Sequence, residues 1–438
     1  MRRFLFLLLL GGSTLLAVIL LEPGSSFRTG SPFYRLCLLL YLLFLGALAL
    51  SVAFYRRYAV RIQNAWLVVV SSGLSLMVLD AVTHRLRDVN QYARTLPDPI
   101  VHHRLWPGTT TWLRSEDFRA SLHVNRYGLR GREPEMPKRR DAYRIVMLGD
   151  SFTMGEGVSD DQTFSALLER SLSSRLSARI EILNAGVDSY APILSYLDLR
   201  ENLLRLEPDA VLLNLDMSDL LQEQYYRSLA VRGPGGEITA VPNPRLSGRL
   251  TEWLDDWIRR NLYFLRFVYL HLRQRLDPEE SMEAAVQRRN GDLLAYTLNG
   301  DDVDRSGEWR DLFDSIVRIR QLCERRGILF FLTVYPWGHQ VNGREWVPGR
   351  TYWMSNDATA SDRVFEKIRQ ECVENRITLI DTVPAFRNYH GDRLLYFRHD
   401  MHWTPEGHRV MSEALLEQIL EPIAGDLRLR SEPAPGTP

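Results

Sequence analysis

The chain has 438 residues, 45% of them hydrophobic, which suffices for one large domain or two smaller ones. Its 54 Lys and Arg balance its 54 Asp and Glu, so the whole chain lacks the basic footprint of a nucleic-acid-binding protein. The three cysteines, Cys37, Cys323 and Cys372, stand at no zinc or redox spacing.

Three apolar stretches open the sequence, over Phe4–Leu21, Leu36–Phe54 and Ala65–Val82. Each approaches the roughly 20 residues that a membrane-spanning helix requires. Arg2 and Arg3 precede the first stretch, and Arg56, Arg57 and Arg61 fill the connection between the second and third. The bias of basic residues toward the cytoplasm places both on the inner side and everything after Val82 outside. The expectation is a multi-pass protein of the cell (inner) membrane with a periplasmic or extracellular C-terminal region. Two alternatives stay open: a cleaved signal peptide in the first stretch, and a buried or interfacial helix in the third, which carries Asp80.

From about residue 85 to 142 the chain is polar and turn-rich, with short strands expected over 107–122. A regular alternation follows. Tyr143–Leu148, Ile180–Leu183, Ala210–Leu215, Ile328–Tyr335 and Ile377–Ile380 are compact apolar runs that suit buried strands. Helical spacing separates them, over Gln162–Leu176, Ile193–Leu206, Leu312–Arg326 and Asp362–Asn375, and a last helix covers His408–Leu420. Strands alternating with helices predict a doubly wound α/β domain on a parallel five-stranded sheet. The chain thus divides into a three-span membrane anchor over 1–84, a lead-in over 85–142 and an α/β domain over 143–430. An insertion at about 221–310 interrupts the last of these. Within it Arg249–Leu276 reads as a helix that packs over the domain, with a lid or a membrane-surface helix as the alternative. Cys323 and Cys372 precede strands in adjacent units, where a disulfide is conceivable outside the cytosol.

Three clusters carry chemistry. Gly149-Asp150-Ser151-Phe152 ends the first strand, where an open α/β sheet presents residues to ligands. Asn184-Ala185-Gly186 ends the second, and a glycine there offers an unobstructed N–H. His399-Asp400-Met401-His402-Trp403 precedes the last helix, with Thr404 as its cap and Pro405 in its first turn. Asp400 can accept from one ring nitrogen of His402, leaving the other to take a proton from Ser151. The first two clusters alone read as ordinary turns; the combination of all three in this chain order is specific. His399 and His402 as metal ligands is the weaker reading, since no third ligand cluster accompanies them, and no cofactor is expected.

On these residues the sequence resembles the SGNH, or GDSL-like, hydrolase superfamily over about residues 143–425. The resemblance implies a flavodoxin-like sheet and the hydrolysis, or sometimes the transfer, of ester-linked acyl groups, often acetyl groups on carbohydrates. It implies Ser151 as nucleophile, Asp400 and His402 as the base pair, and Ser151, Gly186 and Ser218 at the oxyanion. The third block departs from the family pattern. Where Gly-x-Asn-Asp is usual, this chain has Asp216-Met217-Ser218-Asp219, so a serine hydroxyl stands in place of the asparagine amide. Three functions follow as expectations: an esterase acting on an envelope or extracellular glycan, an O-acyltransferase working with a multi-span membrane partner, and a non-catalytic glycan-binding or scaffold domain.

Overall fold

The computed structural model describes residues 32–86, 94–246, 294–299, 305–354 and 358–431. The chain divides into two compact units; the long N-terminal helix belongs to one, and the strands belong to the other. The first expected span, Phe4–Leu21, and the helix expected over Arg249–Leu276 lie outside the described residues.

The second and third expected spans fall in one continuous helical stretch, α1 (Pro32–Leu86), broken by non-helical torsions at Tyr58. The break is a fold-back. Trp66 Nε1 donates to Ser51 Oγ at 2.9 Å across 15 positions, which a straight helix would hold about 22 Å apart. Gln63 likewise reaches the Tyr55 hydroxyl at 2.8 Å. The connection between the two expected spans is therefore helical almost throughout. Arg57 and Arg61 both lie over the Tyr58 ring, 5.5 and 6.0 Å from its centre. Among the described residues one segment, Arg57–Asp80, is long and apolar enough to cross a membrane. Three spans are therefore more than the described residues support.

The second unit begins with two antiparallel hairpins, β1 (Thr95–Pro97) with β2 (His103–Leu105) and β3 (Thr109–Arg114) with β4 (Arg119–Val124). Alternate residues of the second hairpin are buried: Thr111 and Leu113 on one strand, Ala120, Leu122 and Val124 on the other. This period of two is that of a ribbon with one covered face.

Five parallel strands form the main sheet: β5 (Ala142–Leu148), β6 (Arg179–Asn184), β7 (Ala210–Leu215), β10 (Leu329–Val334) and β11 (Leu379–Asp381). A small hairpin, β8 (Val231–Arg232) with β9 (Ile238–Ala240), sits in the insertion. The order across the sheet is β11-β10-β7-β5-β6. Counted along the chain this is 2-1-3-4-5, the flavodoxin-like winding, with its reversal between β5 and β7. Every residue of β5 and β7 is buried, as strands covered on both faces must be. The one charged side chain in β5, Arg144, is fully buried; it is neutralised by Glu181 on β6 at 2.7 Å and donates to the carbonyl of Leu206. Such a pair is costly to desolvate and more costly to break.

The helices that matter to the site are α2 (Ser151–Met154), α3 (Phe164–Leu176), α4 (Pro192–Asp198), α5 (Asp219–Ser228), α6 (Ser306–Glu324), α7 (Gly338–Val341), α8 (Arg363–Glu374), α9 (Val383–Arg387) and α10 (Pro405–Ser431). α3 packs on α10 and β6, and α6 packs on α4 and α5. The helix expected over Ile193–Leu206 is α4 followed by a π turn at Leu199–Leu203 and a 3-10 turn at Leu204–Leu206. Cys323 on α6 and Cys372 on α8 are free, and burial pushes both thiols up to about 12.

Candidate active site

The turn after β5 is built around one glycine. Gly149 has φ +147°, and a Cβ there would stand 2.3 Å from Thr153 Oγ1 and 2.9 Å from the Asn214 carbonyl. Asp150 then caps α2 by accepting from the Phe152 N–H at 2.9 Å. Ser151 is the first residue of this one-turn helix, which closes at Gly155 (φ +92°), whose N–H returns to the Ser151 carbonyl. Ser151 is thereby fixed at the carboxyl edge of the sheet, beside the point where strand order reverses.

The loop before α10 arrives at the same place. Thr404 Oγ1 accepts from the Gly407 N–H at 3.2 Å, and Pro405 opens the helix. Trp403 is fully buried beneath the loop, with Phe152 and Tyr335 edge-on to it at 5.0 and 4.6 Å. His402 Nε2 lies 2.8 Å from Ser151 Oγ. His402 Nδ1 lies 2.5 Å from Asp400 Oδ1, which also accepts the His402 backbone N–H. Residues 251 positions apart in sequence thus meet at hydrogen-bonding distance.

The carboxylates around His402 favour its charged form. Burial alone would lower the His402 imidazolium, but the Asp400 carboxylate, with Glu156 and Asp150 behind it, outweighs burial and raises it to about 9. For Asp400, burial opposes ionisation, and His402 overcomes it to hold the carboxyl below its usual range. Asp150 is pushed the other way, well above the usual carboxylate range, by burial and by the neighbouring Asp216.

The residues expected at the oxyanion are distributed differently. The Ser151 N–H stands at the open N-terminal end of α2. Gly186 does not face the cavity. Its N–H donates to Asn184 Oδ1 at 3.1 Å, and a Cβ on it would stand 2.2 Å from the Met154 nitrogen. Its lack of a side chain serves close packing of this turn on α2. The residue of the same turn that lines the cavity is Ser189, held in the left-handed region at φ +56°. Ser218 does line the cavity, but its hydroxyl donates to Asp216 Oδ1 at 2.5 Å and its N–H to the same oxygen at 2.8 Å. The other oxygen of Asp216 accepts from the Tyr335 hydroxyl at 2.6 Å and from Trp337 Nε1 at 2.7 Å. Asp216 is thus a four-donor hub that gathers the ends of β7 and β10 under the site.

A cavity of about 290 Å³ opens over Ser151 and His402. Its walls include Arg94, Asp188, Phe152, Trp337, Trp353 and Met401. Sequence reading passed over Tyr335-Pro336-Trp337 and Arg94. The first follows a strand that ends at the carboxyl edge, and that position alone could have flagged it. Arg94 sits in the lead-in and left no signal. His399, weighed as a metal ligand, instead pairs with Asp117 at 2.9 Å.

An open parallel sheet wound 2-1-3-4-5, with a serine, a histidine and an aspartate joined at its switch point, defines the SGNH hydrolase fold. The sequence bears this out over most of its length. The chain belongs to the GDSL-like lipase/acylhydrolase family, whose sequence model matches residues 147–410. Among solved structures it is similar to Axe2, an acetylxylan esterase from Geobacillus stearothermophilus, at 10% identity and a TM-score of 0.31; the match covers 64% of this chain and 96% of that one. It is similar to the lipase/acylhydrolase from Enterococcus faecalis at 12% identity and a TM-score of 0.34, covering 64% and 96%. TesA matches at 11% identity and a TM-score of 0.33, covering 63% and 97%. A comparison with curated protein sequences gives no match.

Proposed function

We propose that this protein is a serine esterase that removes short acyl groups, acetyl foremost, from a glycan or similar hydroxylated substrate on the outer side of the cell membrane. The observation that carries the reading is the Ser151–His402–Asp400 chain, at 2.8 and 2.5 Å. In the reaction, His402 Nε2 takes the Ser151 proton as Oγ bonds to the ester carbonyl carbon, and Asp400 stabilises the imidazolium. The oxyanion forms near the Ser151 N–H at the α2 terminus and the backbone of Ser189. Collapse breaks the ester C–O bond, and the imidazolium protonates the departing alcohol. Water, deprotonated by the same imidazole, then releases the acid and restores the Ser151 hydroxyl.

The cavity is at the small end of the range for ligand sites, roughly 300–1,000 Å³, which favours a short acyl chain. Trp337 and Trp353 offer apolar ring surface of the kind that sugar C–H faces cover. The arginine-bearing turn of α1 supports a cytoplasmic tip and an exported region after it.

One observation favours a second reading, glycan binding without turnover: both donors of Ser218 are committed to Asp216. Hydrolysis of p-nitrophenyl acetate, butyrate and octanoate by the detergent-solubilised full chain separates the two. The esterase reading expects turnover of acetate above octanoate that Ser151→Ala abolishes. Equal rates for the wild type and Ser151→Ala overturn it. Adding an oligosaccharide acceptor and looking for its acylated form tests transfer to a sugar hydroxyl.

A further inference from the structure

We propose that the hairpin ahead of the hydrolase fold completes the catalytic centre, with Asp117 as the positioning residue for the loop that carries Asp400 and His402. The inference rests on the esterase reading for the roles of those two residues and goes beyond it in assigning what holds them. The family match begins at residue 147, so Asp117 lies outside it.

Asp117 occupies the tip of the β3–β4 hairpin. Its neighbour Glu116 has 80% of its side chain exposed, whereas that of Asp117 is 9% exposed. Its carboxylate is aimed at one target. Oδ2 accepts from the backbone N–H groups of His399 at 2.7 Å and Asp400 at 2.8 Å, and Oδ1 faces His399 Nδ1 at 2.9 Å. Two successive N–H groups converge on a single oxygen, and the second belongs to the residue whose side chain holds His402.

The tip itself is fixed. Ser115 N–H donates to the Phe118 carbonyl at 3.0 Å, and the Asp117 N–H donates to Ser115 Oγ at 3.1 Å. The Phe118 ring lies 4.9 Å from that of Phe397, and both crowd Gly157, where a Cβ would stand within 2.5–3.0 Å of them. At the base, Leu113, Leu122 and Val124 share a core with Met154, Val187 and Tyr190. The same lead-in also grips the turn of Ser189: Arg94 Nε meets Asp188 at 2.5 Å, and His103 Nε2 lies 2.7 Å from the Asp188 carbonyl. One segment thus braces both loops that face Ser151.

Asp117→Leu is the probe, since it keeps the branched shape of the side chain and leaves both N–H groups without an acceptor. Three readouts are taken on the full chain: thermal unfolding, kcat and KM on p-nitrophenyl acetate, and the His402 titration by NMR of ring-labelled histidine, assigned by its loss in His402→Gln. The expected kcat falls about a hundredfold with KM within about threefold, the signature of a displaced reacting group. The His402 titration falls by about one pH unit as Asp400 loses its fixed position. Asp117→Glu recovers part of both. Phe118→Ala, which loosens the tip while keeping the carboxylate, gives the same shifts at smaller size and decides the matter if Asp117→Leu does not fold. An unchanged His402 titration and kcat, with only a lowered melting point, overturn the assignment. Equal hydrolysis by the wild type and Ser151→Ala would instead remove the esterase reading. The titration needs no turnover and still decides whether Asp117 holds the loop.

Discussion

Replacing Asp400 by Asn isolates the strongest electrostatic interaction of the site. In the wild type the imidazolium of His402 is raised from 6.5 to about 9, against the direction of burial. That difference is on the order of 3 kcal/mol of preference for the charged ring. A folded-state value above the unfolded one stabilises the protein fully below pH 6.5 and loses that contribution as the pH rises through about 9. Wild-type unfolding free energy, measured by urea at a series of pH values, therefore carries this falling component across that window, and Asp400→Asn lacks it. Catalysis moves in a related way. A general base must be neutral, so wild-type kcat/KM rises toward alkaline pH with its limb near 9. In Asp400→Asn the limb shifts to 6.5 or below, while the plateau drops by about 10⁴-fold because the wrong tautomer is favoured. An Asp400→Asn profile whose limb stays at the wild-type position refutes the pairing as the source of the shift.

Other substitutions probe the surroundings. Ser218→Ala removes a hydroxyl bound to Asp216 and is expected to cost about 2 kcal/mol in urea unfolding with less than about a tenfold change in kcat. A loss of about a hundredfold or more in kcat would identify the hydroxyl as an oxyanion donor instead. Gly186→Ala drives a methyl group into the Met154 backbone nitrogen and is expected to destabilise by about 3 kcal/mol or more, read from thermal melts; a wild-type melt contradicts the packing role. Glu181→Ala strands the buried Arg144 guanidinium and is expected to cost about 3–5 kcal/mol; a loss of under about 1 kcal/mol contradicts its burial as an ion pair.

The parallel sheet was legible because fully buried strands leave a plain mark, a short unbroken apolar run. Tyr143–Leu148 and Ala210–Leu215 show it, and a helix follows each. Ser151, Asp400 and His402 were legible because their neighbours are turn and cap residues with fixed geometry: Gly149 before the serine, Thr404 and Pro405 after the histidine. Gly186 was expected at the oxyanion, but its N–H is given to Asn184 Oδ1. A glycine announces that something approaches closely, and sequence does not say whether that is a ligand or, as here, the backbone of Met154. The fold-back of α1 at Tyr58 was legible in its arginines and not in its conformation, since no glycine or proline marks it. Asp117 and Arg94 left no signal at all. Their partners lie 282 and 94 positions away, and nothing local to either residue encodes that meeting.

The central claim is that Ser151 is a nucleophile activated by His402. Peptide mass spectrometry of the full chain after exposure to a fluorophosphonate tests it directly. The account predicts a single adduct on Ser151 in the wild type, none in Ser151→Ala, and labelling of His402→Ala slowed by orders of magnitude. Labelling of His402→Ala at the wild-type rate, or no adduct on Ser151, would contradict it.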